Sequence, residues 1–184
     1  THGAMRHMGN VICVGTDEKP KIDPNTGANI TSLSKYFDTK KYLTPDSDIV
    51  ALLVFEHQLH LQNLLNDLND EMRNGTEPLK SACEPVVRAL LAAGEANFTD
   101  KIKGTTSYAA SYGASAPKDS LGRSFSELDL ATRLHKYFLS PMIYSESFVA
   151  LPADAKAQIY RRIHAVCSGT EPSPAFRHLT DEAK

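Results

Sequence analysis

The sequence predicts a mainly α protein: an irregular bundle of four to five helices with a short N-terminal β-hairpin or extended arm. Three observations lead there. Apolar residues recur at positions 50, 53, 54, 61, 64, 65, 68 and 72, which is the helical period. Two later runs, Ala82 to Ala93 and Ala155 to Val166, repeat that spacing. Strand-like residues are confined to the arm, in the short run Val11 to Val14. The 184 residues suit one large domain, read as an opening expression remnant (1–8), an arm (9–43), a helical domain (44–169) and an extended tail (170–184). A chain of this size buries roughly 70% of its unfolded surface, so folding needs no disulfide or metal.

In the arm, the strand candidate is followed by turn formers at Gly15-Thr16-Asp17 and again at Asp23-Pro24-Asn25-Thr26-Gly27. Ile22 and Ile30 flank the second cluster, which suggests a small hairpin across it. The first helix is then expected from Thr44 as N-cap, with Pro45 in the first turn and Asp46 and Asp48 at the positive helix end. It runs to about Arg73, where Asn74-Gly75 stops it. A second helix spans about Glu77 to Ala93, before Gly94. Residues 99–123, rich in Gly, Ser, Thr, Tyr and Ala, read as a long connecting loop. The capping-box pattern Ser124-Phe125-Ser126-Glu127 predicts a third helix, buried through Leu128, Ala131, Leu134 and Phe138 and ended by Pro141. A short helical segment over Met142 to Val149 and a last helix from about Pro152 to Val166 complete the set.

Bulk properties exclude several functions. The formal net charge of −2 gives no global basic field, so nucleic acid is not an expected partner. The longest strongly apolar stretch, Ile49 to Phe55, falls far short of the roughly 20 residues of a membrane span. Cys13, Cys83 and Cys167 form no C-x-x-C pair, which disfavours zinc ribbons, thioredoxin-like sites and covalent c-type haem. One disulfide plus a thiol, or three buried thiols, both stay open. P-loop, Gly-x-Gly-x-x-Gly and Gly-x-Ser-x-Gly motifs are absent from the sequence.

The candidate chemistry centres on Glu56-His57-Gln58-Leu59-His60, midway along the first helix. The apolar stripe steps through 50, 54, 57, 61, 64 and 68, so His57 is expected on the buried face, where both ring nitrogens need partners. A carboxylate, a backbone carbonyl, a metal or a haem iron would serve. His60, three residues on, and Glu56 could join His57 at one transition metal. The pattern is not His-Glu-x-x-His, and His60 also lines up with the polar residues Asn63 and Asp67. A second polar cluster, Tyr144-Ser145-Glu146-Ser147, follows Pro141 and could meet His57 for acid–base work. His135 is expected at the core edge, His164 in a helix-end charge role and His178 in the tail.

Several stretches also carry a resemblance: Tyr42 to Gln58 (YLTPDSDIVALLVFEHQ), Ser81 to Pro85 (SACEP), Gly122 to Leu130 (GRSFSELDL), Ile143 to Glu146 (IYSE) and Tyr160 to Arg162 (YRR). Together they resemble the C-terminal region of large uncharacterised bacterial proteins of the acidobacterial and planctomycete kind, some exported and with redox or cytochrome-like associations. The resemblance covers most of 40–180 and names no reaction. It implies a periplasmic or secreted parent, in which a disulfide is allowed. It points to Glu56, His57 and Gln58 and to Tyr144, Ser145 and Glu146; its first motif has one histidine, so His60 stands outside it. The expected function is an accessory helical domain of an exported redox protein, partnered by other domains of the parent or a redox partner, with His57 as a haem or metal ligand candidate. An enzyme domain using Glu56, His57, Tyr144 and Glu146 is one alternative. An interaction module presenting the 99–123 loop is the other.

Overall fold

A computed structural model describes residues 12–14, 21–23, 30–75, 77–114, 116–171 and 173–180. The opening run 1–8 and most of the arm's two turn clusters lie outside the described residues. The described part is mainly helical, with five helices: α1 (Ile49–Asn74), α2 (Leu79–Leu90), α3 (Tyr108–Tyr112), α4 (Glu146–Val149) and α5 (Ala153–Cys167). Among the described residues, no helix is long and apolar enough to cross a membrane.

Helix α1 buries Val50, Val54, His57, Leu61, Leu65 and Leu68, the face its sequence period implies. Its start differs from the expected one. The N-cap is Asp48, whose carboxylate accepts the Val50 and Ala51 amides, while Thr44 hydrogen-bonds Asp46 in the preceding loop. A carboxylate that reaches two orphan amides outcompetes a hydroxyl four residues earlier. Gly75 closes the helix at φ 64, a left-handed conformation that glycine adopts without strain. Helix α2 lies between α1 and α5. Leu61, Leu65 and Leu68 of α1, Val86, Val87 and Leu90 of α2, Phe148 of α4, and Ala155 and Ile159 of α5 form one apolar core.

Two expectations need correction. No helix forms over 124–138. The Ser124 amide does donate to the Glu127 carboxylate at 2.9 Å, but this closes a turn and not a helix. The chain then folds into a tight antiparallel loop. Leu128 bridges His135, and the Asp129, Leu130 and Lys136 amides donate to the Leu134, Arg133 and Glu127 carbonyls. The Asp129 carboxylate caps this loop through the Thr132 hydroxyl and the Thr132 and Arg133 amides, competing directly with helix formation. Leu130 takes a left-handed φ of 58 at the bend, outside the helical region. The tail is not extended throughout: Pro174–Phe176 forms a 3-10 turn that seats Phe176 and Leu179 in the core. In the arm, Ile12–Val14 pairs antiparallel with Lys21–Asp23, while residues 24–29, where the expected second turn falls, lie outside the described residues.

Candidate functional site

Among the described residues, the buried polar side chains are Ser47, Asp48, His57, Ser124, Ser126, His135 and Ser140. All belong to the N-terminal end of α1 or to the 124–140 segment. His57 is 3% exposed and sits between two partners brought from elsewhere in the chain. Its Nδ1 lies 2.8 Å from Glu95 Oε1 and its Nε2 lies 2.7 Å from Ser140 Oγ. A carboxylate only accepts, so Nδ1 carries the proton and donates to Glu95. On the other side of the ring, Nε2 shares a hydrogen bond with the Ser140 hydroxyl. Ser140 Oγ accepts in turn from the Met142 amide at 3.2 Å and so caps the 3-10 turn Pro141–Tyr144.

Local structure explains how these groups converge. Glu95 follows the α2 terminus, where Ala92 and Gly94 take positive φ and turn the chain back across α1. Ser140 is fixed by its own amide, which donates to the Leu90 carbonyl at 2.8 Å. The strip 98–102 then runs beside the 127–136 loop, with the Phe98 and Ile102 amides donating to the Thr132 and Leu130 carbonyls.

The 127–136 loop delivers His135 onto His57, with ring centroids 4.9 Å apart. His135 Nε2 is buried without a hydrogen-bond partner. Burial, reinforced by the neighbouring His57, pushes its pKa down to about 3, so the ring is neutral. Tyr112 of α3 also lies beside His135, with ring centroids 6.3 Å apart, and stacks on Tyr108. Burial raises the Tyr112 phenol above its ordinary range, and Tyr108 adds to this.

A second clip holds the 99–123 segment. The Thr106 hydroxyl and amide donate to Asp48, and the Thr105 hydroxyl donates to the Ser47 carbonyl. Burial acts to raise the Asp48 pKa, but the hydrogen bonds from Thr106, Ala51 and Val50 outweigh it and hold the carboxyl below its usual value. Gly104 passes so close that a Cβ there would stand 2.7 Å from the Asp48 oxygens.

The predicted site residues separate in this arrangement. His57 is buried as expected, but Tyr144 and Glu146 are exposed. Tyr144 stacks on Phe125, and Glu146 sits in the first turn of α4 behind its Ser145 cap. The groups that meet His57 are Glu95, Ser140 and His135, so the Glu56–His57–Tyr144–Glu146 constellation does not assemble. His60 points to the exposed side of α1, and Glu56 is only half-buried. Among the described residues, no group of three His, Cys, Asp or Glu side chains is arranged to hold a metal. Cys83 is a buried free thiol in the apolar core, its pKa pushed up to about 11 by burial with a contribution from Asp154. His178, assigned to the tail, reaches back to the Leu91 carbonyl at 2.7 Å.

The order carboxylate–imidazole–hydroxyl is that of acyl-transfer triads. Here the hydroxyl differs in two respects: Ser140 is 2% exposed, and its oxygen already serves as a cap. Comparison with protein-family models, with characterised proteins and with solved structures finds no significant match to this chain.

Proposed function

We propose that the chain is an accessory helical domain of an exported bacterial redox protein, in which His57 is an internal clamp and not a cofactor ligand. The redox and export assignment rests on the resemblance over 42–58, 81–85, 122–130, 143–146 and 160–162. The clamp role rests on one observation: both ring nitrogens of His57 are engaged by protein groups inside the fold. A haem iron or metal ion would need a free ring-nitrogen lone pair, and binding one would displace a contact to Glu95 or Ser140. The partners of such a domain are the other domains of its parent or a redox protein that meets them. The 99–123 segment is tied to Asp48 and to His135 through Thr106 and Tyr112, which disfavours it as a free interaction loop. Haem and transition-metal titration, read by absorbance and elemental analysis, tests the clamp role. No stoichiometric uptake is expected. Haem uptake that His57→Ala abolishes and His178→Ala spares would overturn it.

A catalytic reading is favoured by the Glu95–His57–Ser140 order. In it Glu95 holds the Nδ1 proton and His57 draws the proton from Ser140, whose oxygen bonds to an acyl carbon as the leaving group departs with that proton from His57. A fluorophosphonate probe decides between the two. Labelling at Ser140 that His57→Gln removes would support the enzyme; an unlabelled, folded protein supports the clamp.

A further inference from the structure

Residues 33–45, just before α1, form a closed loop with an unusual surface. The neck is sealed by backbone hydrogen bonds: the Leu33 amide donates to the Pro45 carbonyl at 2.7 Å and the Ser47 amide to the Thr31 carbonyl at 3.0 Å. Ser32 and Asp46 pair as an antiparallel bridge across it. Inside the loop, the Tyr36 and Tyr42 amides donate to the Leu33 and Thr39 carbonyls. The backbone is thus held by its own hydrogen bonds, as in compact Ω-type loops.

Its large apolar side chains nevertheless face outward. Leu43 is fully exposed, Tyr42 is 64% exposed, and Tyr36 and Phe37 are each 46% exposed. The Phe37 and Tyr42 rings meet edge to face at 5.7 Å, and Tyr36 and Leu43 adjoin them in sequence on the same short closed loop, so the exposed apolar side chains are grouped. Grouped apolar exposure of this kind marks an interaction surface. Lys35, Lys40 and Lys41 are interleaved with the patch and exposed. Asp38, whose carboxylate accepts the Lys40 amide, is the one acid between 33 and 45. Three lysines less one aspartate give this loop +2, on a chain whose formal net charge is −2.

The partner must therefore be anionic and also offer an apolar layer. Both requirements are met by an anionic bilayer surface. Tyrosine rings settle at the headgroup level, and lysine stems lie along apolar material while their ammonium groups reach phosphate. Nucleic acid would match the lysines and leave Leu43 in water. We propose that the 33–45 loop docks this domain onto an anionic phospholipid surface, with Phe37, Tyr42 and Leu43 entering the headgroup layer and Lys35, Lys40 and Lys41 facing the phosphates. This inference is independent of the role given to His57.

Vesicle co-sedimentation tests it, comparing phosphatidylglycerol-containing phosphatidylcholine vesicles with phosphatidylcholine alone. The protein should sediment with the anionic vesicles, and less as ionic strength rises. Each lysine replaced in the series Lys35→Gln, Lys40→Gln, Lys41→Gln should weaken partitioning roughly five-fold. The Tyr42→Ser/Leu43→Ser variant should lose binding while keeping the parent melting temperature, because both side chains are exposed. Failure to sediment with anionic vesicles, or sedimentation that the Tyr42/Leu43 variant leaves unchanged, would overturn the proposal. So would a concentration-dependent dimer in sedimentation velocity that this variant abolishes without any vesicle binding, since the patch would then serve a second copy of the chain.

Discussion

The two ends of α1 are built on different physics. From Leu61 onward the helix lies against α2 and α4, and Leu61, Leu65, Leu68, Val86, Val87, Leu90, Phe148 and Ile159 belong to one apolar cluster that α5 completes. From Asp48 to His57 it meets loops, and the buried groups include Ser47, Asp48, His57, Ser124, Ser126, His135 and Ser140. The first region is held by area removed from water, which is non-directional and insensitive to pH. The second is held by hydrogen bonds that fail when one atom is removed or protonated. Perturbation should tell the two apart.

The largest effect is expected in the apolar region. Phe148→Ala should cost about 3–5 kcal/mol in denaturant unfolding, with a penalty unchanged between neutral and mildly acidic pH. His57→Ala should cost about 2–4 kcal/mol, because it opens a cavity and removes the hydrogen bonds to Glu95 and Ser140. Equal costs at all pH values for both variants would erase the distinction.

Acid sharpens the comparison further. His135 is neutral in the fold, with its pKa pushed down to about 3 from the ordinary 6.5. The unfolded chain therefore binds a proton that the folded chain refuses throughout that interval. Stability contributed by the neutral ring is complete above pH 6.5 and is lost as pH falls from there toward 3, at about 1.4 kcal/mol per pH unit. His135→Phe should flatten the stability–pH curve over that range, as read by urea midpoints at several pH values. A smaller effect is expected at the α1 cap. Asp48→Ala should cost about 1 kcal/mol, and amide exchange should accelerate at Val50, Ala51 and Thr106, whose partner is removed.

This contrast also decides what the sequence could reveal. The apolar face of α1 and the stripe Ala155–Ile159–Val166 of α5 are legible, because burial on a helix imposes a period and the period survives any detail of tertiary structure. The depth of His57 follows from the same rule. Its partners do not. Glu95 and Ser140 lie 38 and 83 residues away in sequence. They reach the ring through the positive φ of Ala92 and Gly94 and a Ser-Pro cap, none of which has a period. The capping-box pattern at Ser124 misleads for a related reason: its Glu127 hydrogen bond is made, but Asp129 captures the next amides and Leu130 leaves the helical region. Tyr144 and Glu146 carry suitable chemistry in the sequence, but residue type without a direction in space does not determine which side chains meet.

The clamp itself can be observed directly by NMR of histidine ring protons in protein labelled with nitrogen-15. A slowly exchanging His57 ring N–H is expected, absent from His57→Ala and shifted by Glu95→Gln and by Ser140→Ala. A His57 ring proton that exchanges with water as fast as that of exposed His60 would contradict the inward-held imidazole on which both readings of this site depend.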